Sequence, residues 1–207
     1  MKTVLVANRK GGCGKTVVAV TLASALAARG HSVGLADADA QKSAQRWLKT
    51  RPKNAARIEG LNWTKSGAVG DAPKSLDWLV IDAPGAVGGE AAEALIAEAR
   101  AVIAPVLPSF FDADSTRRFL KEIEDIKRVR KGKVGVHLLA NRVRPQGRAT
   151  GRLQAFFDKV GQQPVAWIAE RAAYADLAER GLSAFDMPQK LYAPIRAQWA
   201  PVLEALD

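Results

Sequence analysis

The residues with the plainest chemistry lie between positions 8 and 17. Asn8-Arg9-Lys10-Gly11-Gly12-Cys13-Gly14-Lys15-Thr16-Val17 follows a short apolar run, Thr3–Ala7, and opens an Ala-, Leu- and Val-rich stretch, Thr16–Arg29. A strand, a glycine-rich loop, Lys-Thr and a helix together form a phosphate cradle. Glycines let backbone N–H groups crowd around phosphate oxygens. The helix N-terminus adds further donors and a favourable dipole. Lys15 then reaches the β and γ phosphates, and Thr16 offers its hydroxyl to Mg2+. The usual spacing needs a glycine five residues before Gly14, but position 9 is Arg9. The stretch instead fits Lys-Gly-Gly-x-Gly-Lys-Thr, with an additional lysine, Lys10, at its head. Cys13 fills the unspecified position. Either only its backbone N–H serves and the side chain packs, or the helix terminus and the lysines lower its thiol pKa.

Two acidic motifs accompany this loop. Asp37-Ala38-Asp39-Ala40-Gln41 closes a second apolar run. If the segment is extended, the alternating carboxylates point to one side, over a single phosphate and metal centre. Leu79-Val80-Ile81-Asp82-Ala83-Pro84-Gly85 is an apolar run ending in an aspartate. An aspartate so placed holds Mg2+, directly or through water. Alone, Asp-Ala-Pro-Gly is also a good turn sequence.

The elements that must position these residues alternate along the chain. Strands are expected at Thr3–Ala7, Ser32–Ala36, Ile58–Trp63, Leu76–Ile81, Ala101–Leu107, Val134–Ala140 and Pro164–Ile168. Helices are expected at Thr16–Arg29, Gln41–Thr50, Glu90–Arg100, Asp114–Lys131, 149–160, 170–180 and 190–206. In Asp114–Lys131 the spacing of Phe119, Leu120, Ile123, Ile126 and Val129 is helical. Residues 51–75 are rich in Pro, Gly, Asn and Lys. Alternation of this kind predicts right-handed βαβ units in one α/β domain over 1–207: a mainly parallel twisted sheet with helices on both faces. Ligands of such sheets bind beyond the carboxyl ends of the strands, where the three motifs would meet.

Composition narrows the class. The chain has 207 residues, 48% hydrophobic and 25% charged, which excludes wholesale disorder. Its apolar runs are too short for a membrane span, and no signal peptide is legible. One cysteine and two histidines exclude an intramolecular disulfide and a cysteine-only metal site. A reducing cytoplasm suits that cysteine usage. The net charge is +10, and residues 117–152 hold 12 Lys/Arg against 3 Asp/Glu, nearly all of the excess. Such a concentration is the footprint of a polyanion partner, nucleic acid above all, or else a solvated helix face.

With these motifs in register, the sequence resembles the ParA/MinD group of deviant phosphate-loop ATPases over essentially its whole length. The resemblance rests on Lys10–Thr16, Asp37–Gln41 and Asp82–Gly85, and on Pro105, Pro108, Asn141-Arg142, Pro164 and Glu170-Arg171. It implies ATP and Mg2+ as cofactors and an ATP-sandwich homodimer. Lys10 would cross to the partner's phosphates, and Gly11, Gly12, Cys13, Gly14, Lys15, Thr16 and Val17 would bind nucleotide. Asp39 would position the attacking water, making Lys10, Lys15 and Asp39 the catalytic set. Thr16, Asp37 and Asp82 would hold the metal and its waters, and Asn141 and Arg142 would touch adenine. Ala40 departs from the family's usual proline. The chain begins at its first strand, so the resemblance is to the small class without an N-terminal DNA-binding domain. That class segregates plasmids or positions other cargo, binds DNA without sequence preference in the ATP state, and answers to a ParB-like or cargo adaptor. It implies a cytoplasmic protein, associated with the nucleoid when ATP-bound. Candidate DNA contacts are Arg117, Arg118, Lys121, Lys127, Arg128, Arg144, Arg148 and Arg152.

The rival readings are weaker. A membrane-bound, MinD-like switch needs a basic amphipathic C-terminal helix. Here the end has two prolines and two basic residues, and Leu191, Ile195, Trp199, Val202 and Leu206 are expected on the core. Stable membrane association is therefore not expected. An iron–sulfur branch would need paired cysteines. A metabolic ligase of the same fold would need neither Lys10 nor the basic stretch.

Overall fold

In a computed structural model of the chain, described for residues 1–64, 69–85 and 87–207, one parallel sheet carries every strand. The elements are β1 (Lys2–Val6), α1 (Lys15–Ala28), β2 (Val33–Asp37), α2 (Ser43–Thr50), β3 (Glu59–Asn62), β4 (Trp78–Asp82), α3 (Gly89–Glu98) and β5 (Ala101–Val106). There follow α4 (Phe110–Glu124), α5 (Lys127–Arg130), β6 (Gly135–Val143), α6 (Arg148–Val160), β7 (Ala166–Ala169), α7 (Ala173–Glu179), a 3-10 turn (Lys190–Tyr192) and α8 (Ala193–Glu204). The strand order is β3-β2-β4-β1-β5-β6-β7. The chain leaves β1 towards one edge and returns to its other side at β5. That reversal opens a crevice at the carboxyl end of β1, where the glycine loop begins.

Two cores follow from the period-2 alternation of the buried strands. In β1, Val4 and Val6 pack on one face with α1, α2, α7 and α8, and Leu5 on the other with α3, α4 and α6. In β4, Trp78 and Val80 join the first face, Leu79 and Ile81 the second. Burial on both faces is why these strands read as continuous apolar runs.

Several boundaries differ from expectation. The helix expected at Asp114–Lys131 is two. The first starts at Phe110 because Ser109 caps it, its Oγ accepting from the Asp112 N–H at 3.1 Å. It ends at Glu124, and Ile126 is extended before the single turn of α5. The strand expected to end at Ala140 runs on to Val143, so Asn141 and Arg142 lie within β6, at a register irregularity where Arg142 takes φ +52°. At the C-terminus Ile195, Trp199, Val202 and Leu206 are buried as expected, but Leu191 is not. It sits in the 3-10 turn before α8 and stands in solvent. Within the expected 51–75 connection, 65–68 lie outside the described residues.

A buried ion pair fixes α2, and with it the loop after β2. Arg51, which caps α2, stacks on Trp47 and pairs with Asp186 at 2.6 Å; its guanidinium also donates to the Ala56 and Gly181 carbonyls. Both charged side chains are almost wholly buried, 6% and 3% exposed. Removing one partner strands the other charge in the interior. Arg51→Ala is expected to cost roughly 3–5 kcal/mol in urea unfolding, whereas Arg46→Ala on the exposed side of the same helix stays near wild type.

Candidate nucleotide site

The loop between β1 and α1 wraps around a single ammonium. Lys15 is buried, and its Nζ donates to the Lys10 carbonyl at 3.0 Å, the Gly85 carbonyl at 3.2 Å and the Asn8 carbonyl at 3.4 Å. It thus ties the phosphate loop to the loop that follows β4. Gly12 and Gly14 take φ +80° and +92°. At Gly14 a Cβ would also lie 2.6 Å from the Asn141 amide nitrogen, so glycine is required twice over. The Asn141 amide donates to the Cys13 carbonyl at 2.9 Å, joining β6 to the loop. Cys13 is fully buried, its thiol donates to the Lys10 carbonyl at 3.2 Å, and burial pushes its pKa up. The thiol therefore packs; the reading of it as an activated thiolate does not hold.

The acidic residues divide by their partners. Asp82 ends β4, and both its oxygens are buried without a hydrogen-bond partner of good geometry. Burial pushes its pKa up to about 7, with Asp37 and Asp39 acting in the same direction and the Thr16 hydroxyl and Lys15 ammonium against it. An unpaired buried carboxylate beside a hydroxyl, at the mouth of a phosphate loop, fits Mg2+. That ion uses one or two protein oxygens and completes its shell with water and phosphate. Among the described residues no larger group of ligating side chains competes with this pair.

Asp37 differs. Its Oδ1 accepts from the Asp39 N–H at 3.1 Å and its Oδ2 from the Gln45 N–H at 2.9 Å. It closes the loop after β2 onto the first turn of α2, and burial raises its pKa against those bonds. Both its oxygens accept from the backbone, unlike those of Asp82, and each keeps a further lone pair for a water. β2 ends at Asp37, so the extended alternation expected of Asp37 and Asp39 is absent. Asp39 lies in the turn, half-buried, with Oδ1 accepting from the Gln41 N–H at 2.9 Å.

A cavity of about 700 Å3 opens beside Gly14 and Val17, lined by Asn141, Arg142, Tyr174 and Trp199 among others. Glu170, just past β7, holds its rim by accepting from Arg142 at 2.8 Å and Arg144 at 2.6 Å. Tyr174 and Trp199 carry no motif; their hydrogen bond, indole N–H to phenol oxygen at 2.9 Å, joins α7 to α8 and was not legible in the sequence.

The basic candidates separate as well. Lys121 and Lys127 are exposed on α4 and α5, and Arg148 and Arg152 on α6, without ion pairs among the described residues. Arg117 and Arg118 are exposed but share Asp114, and Arg144 is paired to Glu170. Arg128 turns inward, its guanidinium donating to the Ala97 and Ala99 carbonyls, where it anchors α5 to the turn before β5. Arg117 and Arg152 line one groove of about 460 Å3 between α4 and α6.

Comparison with known proteins agrees with this geometry. Residues 4–184 match the CobQ/CobB/MinD/ParA nucleotide binding domain. The chain is 29% identical over 190 residues to maintenance of carboxysome distribution protein A of Halothiobacillus neapolitanus, covering 89% of this chain and 87% of that protein. The fold superposes on apo McdA of Cyanothece with TM-score 0.79 at 20% identity, covering all of both chains. It superposes on the MinD cell division protein of Aquifex aeolicus with TM-score 0.76 at 16% identity, over 100% of this chain and 96% of that one. The phosphate loop, its two acidic companions and the extent of these matches make the chain a member of the CobQ/CobB/MinD/ParA nucleotide-binding family.

Proposed function

We propose that this protein is an ATP-driven positioning switch: it binds ATP and Mg2+, pairs with a second copy over the nucleotide, and holds non-specific DNA in that state. Hydrolysis is slow and timed by an adaptor protein that carries the cargo. The observation that carries the reading is the conjunction of the Lys15 cradle with the unpaired Asp82 carboxylate at the carboxyl end of β4. The relative named for carboxysome distribution supports cargo positioning as the task.

Roles follow from the partners each residue has. Lys15 exchanges its carbonyl partners for phosphate oxygens, which bind an ammonium more strongly than neutral carbonyls do. The backbone N–H groups of Gly11 through Val17 turn to the same phosphates. Thr16 and Asp82 hold Mg2+, which neutralises charge on the phosphates. Asp39 orients the attacking water, and Asp37 serves as a positioning residue by fixing the Asp39 turn. Lys10 reaches the partner's nucleotide. The cavity lined by Asn141, Arg142, Tyr174 and Trp199 takes adenine. Lys121, Lys127, Arg148 and Arg152 contact DNA phosphates with Arg117 and Arg118 beside them, while Arg128 supports α5. Burial of Ile195, Trp199 and Val202 in α8 argues against a membrane-docking face there.

Three outcomes test these roles. Asp39→Ala is expected to bind ATP as the wild type does and to hydrolyse it about 100-fold more slowly; unchanged turnover at saturating adaptor or DNA would remove Asp39 from its role. Asp82→Asn bears on the metal. With its folded pKa near 7 against an ordinary 3.8, Asp82 releases its proton more readily in the unfolded chain. Stability of the metal-free protein then falls as pH rises through that window. Asp82→Asn is expected to remove this fall, stabilising the nucleotide-free protein by roughly 2–4 kcal/mol at pH 8. It is also expected to lose the Mg2+-dependent gain in ATP affinity. A variant with the wild-type pH slope, or with intact Mg2+ dependence, refutes the assignment. Finally, Arg148→Glu with Arg152→Glu is expected to weaken ATP-dependent binding to random-sequence duplex DNA and to lower the log–log salt slope by about two. An unchanged slope places the DNA elsewhere.

A further inference from the structure

Arg9 is the residue that breaks the ordinary phosphate-loop spacing, and none of the roles above uses it. Its side chain leaves the loop and meets Glu122 of α4 at 3.1 Å. The other Glu122 oxygen accepts from the Gly89 N–H, at the start of α3, at 2.7 Å. One carboxylate therefore binds the loop after β1 with one oxygen and the end of the loop after β4 with the other. A Cβ at Gly88 would approach the Glu122 carboxylate to 3.0 Å, so glycine there leaves room for it. The helix bearing Glu122 is itself tied to the phosphate loop. Asn8 donates to the Thr116 hydroxyl at 2.8 Å and to the Pro105 carbonyl at 2.9 Å, and both acceptors are buried.

Among the described residues, side chains thus join the two loops at two places. The inner tie is Lys15 to the Gly85 carbonyl at 3.2 Å. The outer tie is Arg9 to Glu122 to Gly89. A γ-phosphate draws the Lys15 ammonium to itself, because a charge-assisted bond outweighs one to a neutral carbonyl. The inner tie then loosens just when Asp82 and Gly85 must be in place. Among the described residues the outer tie is the one of the two that is independent of the phosphate. We infer that Arg9 and Glu122 are a positioning pair that holds the loop after Asp82 against the phosphate loop, and so sets the preference for nucleoside triphosphate over diphosphate. The inference rests on the reading of this crevice as the nucleotide site.

The pair is open to water, 53% and 29% exposed, so its own contribution to stability is small. Variants should fold, which separates positioning from scaffolding. The test is the ratio of Mg2+-ATP to Mg2+-ADP affinity, measured by calorimetry on the full chain, with thermal unfolding of the nucleotide-free protein alongside. Glu122→Ala is expected to lower the ratio about tenfold, almost entirely through ATP, with the melting temperature near wild type. Glu122→Gln keeps one acceptor oxygen for the Gly89 N–H but turns a donor amide towards Arg9, and is expected to lose most of the preference as well. The exchange Arg9→Glu with Glu122→Arg restores the ion pair but offers Gly89 no acceptor, and is expected to stay impaired. An unchanged ratio in Glu122→Ala overturns the inference. So does a loss shared equally by ATP and ADP, or a Glu122→Gln variant with the wild-type ratio. Wild-type protein that binds neither nucleotide overturns instead the reading of the site.

Discussion

One buried ammonium organises the functional end of this fold. Lys15 enters α1 with its side chain folded back beneath the loop it closes, and takes carbonyl oxygens from Asn8, Lys10 and Gly85. Those acceptors come from two loops, Gly85 lying 70 residues from Lys15 in sequence, brought together because β1 and β4 are paired neighbours. Buried charge needs polar partners, and these three carbonyls supply them.

The carboxylates around it form a graded set. Asp37 accepts a backbone N–H at each oxygen and shapes a turn. Asp39 uses one oxygen for its own turn and stands half in solvent. Asp82 is buried with no hydrogen-bond partner of good geometry, and burial raises its pKa against the Thr16 hydroxyl and the Lys15 ammonium. A buried carboxylate with both oxygens unsatisfied, beside a phosphate loop, is a site for an ion or ligand. Three aspartates of similar motif standing thus meet three different environments, divided by hydrogen bonding rather than by residue type.

The same division holds among the arginines. The basic stretch is continuous in sequence but not in its contacts: Arg128 braces α5, Arg142 and Arg144 clamp Glu170 at the cavity rim, and Arg148 and Arg152 are exposed without ion pairs among the described residues. Charge counting cannot see this, because a guanidinium facing a backbone carbonyl and one facing water contribute the same formal charge. α4 carries Arg117 and Arg118 on its outer side, and on another side Thr116 and Glu122 meet the nucleotide loops. A surface event and a loop event therefore share one rigid helix.

The sequence by itself determined the parallel sheet and its two apolar faces, since buried strands alternate with helices at readable periods. It also determined the phosphate loop, since glycine spacing and Lys-Thr before a helix have few other physical uses. Asp82 was legible for the same reason, as a charge at the end of an apolar run. Tertiary structure alone decided what depends on distant neighbours. The Asn141 amide under Gly14, the bidentate use of Asp37, the inward turn of Arg128 and the bridge from Arg9 through Glu122 to Gly89 each join segments far apart in sequence or turn on the exact end of a strand. Local patterning sets which faces are apolar. Hydrogen-bond partners across the sheet decide which of the polar residues left over are free to act.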